Sequence, residues 1–179
     1  MLNIKDSLVL MIDFQEKLVK ATNANLEAEN ASKMIKAANI LDIPVLISEQ
    51  YPKGLGSTVS EISDSLISDT KILEKTNFSF VKEENTLGLL KQYNKKQIIL
   101  FGIETHICVL QTALDLLNNG FEVFLIKNAC KSRCDDEHFS GIDFMKEKGV
   151  NIITLEIALF LLLETSKHQN FKEIQALIK

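Results

Sequence analysis

Short, continuously apolar runs separated by stretches of helical period constrain this chain more than any other feature. Ile98–Leu100 (IIL) and Val123–Ile126 (VFLI) show no polar alternation, the pattern of parallel strands covered on both faces. Similar β-rich runs predict strands at Ser7–Ile12, Pro44–Ser48, Lys71–Glu74, Gln97–Phe101, Glu122–Ile126 and Asn151–Thr154. Helical periodicity fills the gaps at Leu26–Leu41, Glu84–Tyr93, Ile107–Asn118 and Asp136–Lys148, and continues at Glu156–Glu164 and Phe171–Leu177. Regular strand–helix alternation predicts an α/β fold: a three-layer, six-stranded, mostly parallel doubly wound sheet with helices on both faces. Punctuation agrees, since Asn118-Asn119-Gly120 and Gly149 each follow a helical run.

At 179 residues, with no linker, repeat or low-complexity tract, the chain reads as a single domain spanning 1–179. Net charge is −4 with acidic and basic residues interspersed. Nucleic acid is therefore not the expected partner, because phosphate binding needs a concentrated basic face. A small-molecule substrate is. The apolar run near the N-terminus is broken by Asp13 before spanning length, so no membrane segment is expected. The odd set of cysteines, Cys108, Cys130 and Cys134, fits a reducing, cytoplasmic setting.

Parallel strands bring their carboxyl ends to one edge, where ligands bind at the point of strand-order reversal. Asp13, Lys75 and Cys108 fall at the ends of the first, third and fourth predicted strands. Cysteine attacks as a thiolate, a carboxylate can take its proton, and a lysine can hold and balance the two. A helix N-terminus after Gly102 would lower the thiol pKa and offer backbone N–H groups to an oxyanion. Each residue has a plainer reading. Asp13 could be a turn residue, Lys75 a solvated strand end and Cys108 a small core residue.

Wider segments carry a resemblance. GIETHICVLQTALDL, with MIDFQ upstream, resembles the isochorismatase-like cysteine hydrolase superfamily, which includes nicotinamidases and N-carbamoylsarcosine amidohydrolases. SEQYPKGLGST, EKTNFSF, NACKSR and FKEIQALIK are similar to its isochorismatase-domain-containing subgroup. The resemblance implies Cys108 as nucleophile, Asp13 as proton acceptor and Lys75 as their partner. It implies a cis peptide at Ile103–Glu104 and an oxyanion hole formed by the Glu104 and Cys108 backbone N–H groups, the Glu104 side chain mattering less. Phe14, Gln50, Tyr51 and Phe78 are candidate pocket residues, and homo-oligomers are implied, with the apolar run Ile157–Glu164 compatible. No cofactor is implied.

Metal is a departure from part of that superfamily. Zinc-binding nicotinamidases carry an Asp-x-His segment where this chain has Ser48-Glu49-Gln50-Tyr51, and His106, His138 and His168 are isolated. The expectation is thus a metal-independent hydrolase of amide or carbamoyl C–N bonds. The alternatives are vinyl ether hydrolysis of the isochorismate type, an inert oligomeric scaffold, or a redox sensor. Cys130 and Cys134, four apart, would meet if they shared a helical turn.

Overall fold

Six strands form one wholly parallel sheet in the order β3-β2-β1-β4-β5-β6. They are β1 (Ser7–Ile12), β2 (Val45–Gln50), β3 (Lys71–Lys75), β4 (Gln97–Ile103), β5 (Glu122–Lys131) and β6 (Asn151–Ile153). The computed structural model describes residues 1–179. The sheet winds outward from β1 to β3, then crosses back to β4 on the other side of β1. Strand order therefore reverses between β1 and β4, the point of such a sheet at which ligands characteristically bind.

The helices are α1 (Glu16–Thr22), α2 (Asn25–Ile40), α3 (Pro52–Leu55), α4 (Ser60–Ser63), α5 (Thr86–Gln92), α6 (Leu110–Asn118), α7 (Asp135–Glu147), α8 (Leu155–Leu163) and α9 (Phe171–Ala176). One layer gathers α4, α8 and α9 around α2, which lies on β1, β2 and β5. Another is formed by α5, α6 and α7. Every residue of β1 and β4 is buried, as continuous apolar runs demand when helices cover both faces. No helix is long and apolar enough to cross a membrane.

Several boundaries differ from expectation. β2 runs on to Gln50, and the short helix α3 follows almost at once. The helices α3 and α4, four residues each, are too short to give a readable period, and α1 is an addition to the expected helices. β5 continues past Ile126 to Lys131 because, after a register shift between Leu100 and Gly102, Cys130 pairs with Gly102 and Lys131 with Ile103. Lys127 and Asn128 interrupt the apolar run there and hide the extension. Consequently Cys130 is a strand residue and Cys134 precedes α7, so the two do not share a helical turn.

Gly102 marks the closest approach of β4 to the central strand. Its φ is +148°, and a Cβ there would lie 2.2 Å from the Ile12 carbonyl oxygen, its register partner. Only glycine fits beside the end of β1. Immediately beyond it the chain leaves the sheet through a cis Ile103–Glu104 bond into a π-helical turn, Thr105–Val109, which leads into α6.

Candidate active site

Asp13 ends β1 in a left-handed conformation (φ 53°), which short polar residues tolerate better than most. Its carbonyl accepts from Gln15 N–H at 2.8 Å, turning the chain off the sheet edge. The side chain is fully buried. Oδ1 accepts from Ser48 Oγ at 2.7 Å, and Oδ2 lies 2.7 Å from Lys75 Nζ.

Lys75 is also fully buried, an exceptional state for a lysine. β3 and β1 flank β2, so their backbones are about 10 Å apart, a gap that a long side chain can cross. Nζ donates to Gln50 Oε1 at 2.6 Å, to the Phe78 carbonyl at 3.1 Å and to the Asn77 carbonyl at 3.3 Å. An ammonium has three protons, and three acceptors besides Asp13 surround it. The Asp13 contact, at 2.7 Å, is a close ion pair that shares the ammonium with these acceptors.

Cys108 sits in the π-helical turn and is only 7% exposed. Asp13 and Lys75 are the charged groups acting on its thiol. Burial, aided by the Asp13 carboxylate, pushes the thiol up to about 12, against the opposing pull of Lys75. Burial thus works against the lowering expected from a helix N-terminus. Asp13 is likewise raised above the ordinary carboxylate range, by burial first, although Lys75, Ser48 and Cys108 work in the opposite direction.

The other candidates separate. Gln50 uses its side chain to accept from Lys75 and to donate to the Thr76 carbonyl at 2.8 Å, so both polar ends are engaged. Tyr51 (58% exposed) and Phe78 (54%) flank the site from exposed positions, while Phe14 is enclosed in the core. Tyr51 lines a cleft of about 200 Å³ with Pro52, Lys53, Glu74, Thr76 and Glu83, which reaches Lys75 but not Cys108. The Glu104 side chain is buried and paired with Arg133. His106 contacts Ser132 through Nδ1 at 2.9 Å.

Three participants escaped sequence reasoning. Ser48 and Gln15 are buried polar residues, and Gln15 exchanges hydrogen bonds with the Gln50 backbone at 2.7 and 3.0 Å. Glu83 Oε2 accepts from Thr76 N–H at 2.8 Å and from Asn77 N–H at 3.0 Å, gripping the loop whose carbonyls hold Lys75. A signal for Ser48 existed: a parallel neighbour of β1 must place some side chain beside Asp13. Nothing in the spacing marked Glu83.

An isochorismatase domain model matches residues 7–157, most of the chain. The chain belongs to the isochorismatase-like hydrolase family. It is 42% identical over 147 residues to isochorismatase domain-containing protein 1 of Salmo salar, covering 82% of this chain and 51% of that one. The chain thus spans about half the length of that relative, and of its Danio rerio counterpart. Isochorismatase domain-containing protein 2 of Danio rerio is 38% identical over 181 residues, covering 99% of this chain and 89% of the relative. Among solved structures, one described as MAR1 ribonuclease from Caenorhabditis elegans has a TM-score of 0.93 at 37% identity, covering 99% of this chain and 91% of that one. The Escherichia coli YcaC protein, described as an octameric hydrolase of unknown specificity, shares the fold with a TM-score of 0.87 at 21% identity; the match covers 99% of this chain and 94% of that one.

Proposed function

We propose that this isochorismatase-family chain is a metal-independent cysteine hydrolase of small amide or carbamoyl compounds, working through a Cys108 thioester. The observation that carries the reading is Asp13 Oδ2. It is a buried carboxylate oxygen 2.7 Å from the Lys75 ammonium, in a side chain that also acts directly on the Cys108 thiol. In the proposed sequence Asp13 takes the thiol proton as sulfur attacks the carbonyl carbon. The carbonyl oxygen becomes an oxyanion, received by the Glu104 and Cys108 backbone N–H groups. Collapse expels the amine, which takes the proton from Asp13 and leaves the thioester. Asp13 then takes a proton from water as the resulting hydroxide attacks, and returns it to the departing sulfur. The raised thiol pKa means that proton transfer accompanies attack instead of preceding it. Tyr51 and Phe78 supply the exposed apolar rim against which a small substrate would pack.

The test is intact-mass analysis after incubation with p-nitrophenyl acetate. Wild type should gain one acetyl group that then hydrolyses, and Cys108→Ala should gain none. An unmodified wild type, or an equal adduct on the variant, would sink the covalent step.

The name of the Caenorhabditis elegans relative favours a second reading, RNA cleavage. Interspersed charge and a buried reactive centre rank it lower. Cleavage of RNA by wild type that is lost in Asp13→Asn would reverse that ranking.

A further inference from the structure

The resemblance left the Glu104 side chain without a role, but its surroundings are organised. Its carboxylate is 8% exposed, and its hydrogen bonds go to one residue. Arg133 reaches it with Nη2 at 2.8 Å, Nε at 3.1 Å and its own backbone N–H at 3.0 Å. A fork meeting a carboxylate in this way fixes orientation as well as distance. Burial works against the Glu104 charge, yet the Arg133 hydrogen bonds and charge hold the carboxyl below its ordinary range.

The backbone of Glu104 is equally committed. Its carbonyl accepts from Ile107 N–H at 3.2 Å and Val109 N–H at 3.3 Å, so it closes the turn containing Cys108. The next two residues are tied to the same neighbouring stretch. Thr105 Oγ1 meets His138 Nδ1 at 2.8 Å, and His106 Nδ1 meets Ser132 Oγ at 2.9 Å. α7 presses close from above, since a Cβ on Gly141 would stand 3.1 Å from the His106 Cα. Three consecutive residues ahead of the thiol are therefore fastened to the β5–α7 junction, and Arg133 supplies the charged fastening.

We propose that Arg133 is a positioning residue: through Glu104 it sets the turn that aims the Glu104 and Cys108 backbone N–H groups at the developing oxyanion. The inference rests on the reading of Cys108 as an acylated nucleophile. Arg133 touches no reacting atom. Its side chain is 61% exposed, so removing it opens no cavity in the core.

Two reagents separate positioning from general damage. Acylation of Cys108 by p-nitrophenyl acetate passes through an oxyanion, whereas alkylation by iodoacetamide does not. Arg133→Ala should slow acylation by about tenfold or more, while alkylation changes by less than about twofold. Arg133→Lys should remain slow, because a point charge does not reproduce the fork. Millimolar guanidinium chloride should restore acylation of Arg133→Ala where sodium chloride at equal ionic strength does not. If the unpaired carboxylate unfolds that variant, alkylation will rise sharply. The double variant Glu104→Gln with Arg133→Ala, which buries no lone charge, then carries the test with the same expected split. Acylation of the variant at the wild-type rate, or an equal slowing of acylation and alkylation, overturns the proposal while leaving the hydrolase reading intact. A wild type that is never acylated removes the hydrolase reading, and this one with it.

Discussion

Lys75 Nζ and Asp13 Oδ2 stand 2.7 Å apart with neither side chain exposed to solvent, joining the end of an edge strand to the end of the central one. Desolvating both charges is costly, and the pair is tolerated because Gln50, Asn77, Phe78 and Ser48 satisfy the remaining valences. Breaking it one side at a time leaves a buried lone charge. Lys75→Met should cost about 3–5 kcal/mol in urea unfolding. The double variant Asp13→Asn with Lys75→Met should be more stable than Lys75→Met alone. Equal stabilities would show that the pair is not coupled.

Asp13→Asn on its own tests the chemistry. The amide still accepts from Ser48 but cannot take a proton from sulfur, so ester acylation of Cys108 should fall by about 100-fold or more. Stopped-flow release of nitrophenolate measures this. A fall of less than about threefold would remove Asp13 as the base.

Glu83 predicts an acid-sensitive loop. Hydrogen bonds from the Asn77 and Thr76 backbone hold its carboxyl down at about 2, against an ordinary 4.5. A depressed pKa gives stability that is present above pH 4.5 and lost as pH falls toward 2, because only the unfolded chain binds the proton across that window. Glu83→Gln should therefore lose less stability than wild type between those values. Its Thr76 and Asn77 amides should also exchange faster at neutral pH, and unchanged exchange would contradict the bracing role.

The thiols predict the opposite slope at high pH. Cys108 and Cys130 are both pushed from an ordinary 9.0 up to about 12, chiefly by burial. Between these values the unfolded chain releases protons that the folded chain keeps, so stability falls as pH rises. Each thiol contributes a slope of at most about 1.4 kcal/mol per pH unit. Cys130→Ala, compared with wild type from pH 9 to 11, should flatten the decline, and a parallel curve would refute the assignment.

Two glycines should respond differently to alanine. At Gly102 the new methyl meets the backbone oxygen of Ile12, which cannot withdraw without parting β1 from β4; a loss of about 3 kcal/mol or more is expected. At Gly54 it meets the Tyr51 ring 2.3 Å away, an exposed side chain free to swing aside, so the loss should stay near 1 kcal/mol or below. Thermal melts of the two variants decide this.

What the sequence disclosed follows from what is periodic or chemically distinctive. Apolar runs announced β1 and β4 because burial on both faces removes polar residues from them, whereas the edge strands β3 and β6 are short and only partly buried and are legible from β-rich composition. Strand ends then brought Asp13, Lys75 and Cys108 to one edge before any distance was known. The four-residue helices α3 and α4 stayed hidden because each is barely one turn, too short for a period to be read. Ser48, Gln15 and Glu83 stayed hidden because their importance lies in which oxygen faces which proton, a property of register and loop geometry. The burial that opposes ionisation of Cys108 stayed hidden for a related reason: proximity to a helix start is visible in a sequence, whereas enclosure of the sulfur is not.

The place of β1 in the sheet also bears on how the chain is made. β1 precedes the other five strands in the chain, and β2 soon follows to cover one of its edges. Its other partner, β4, is encoded only after β3 and α5. Until then a nascent chain carries a largely apolar strand with an unpaired row of amides and carbonyls, the arrangement that recruits other chains. The yield of folded protein on expression should therefore depend on the interval before β4 arrives and fall as the rate of synthesis rises.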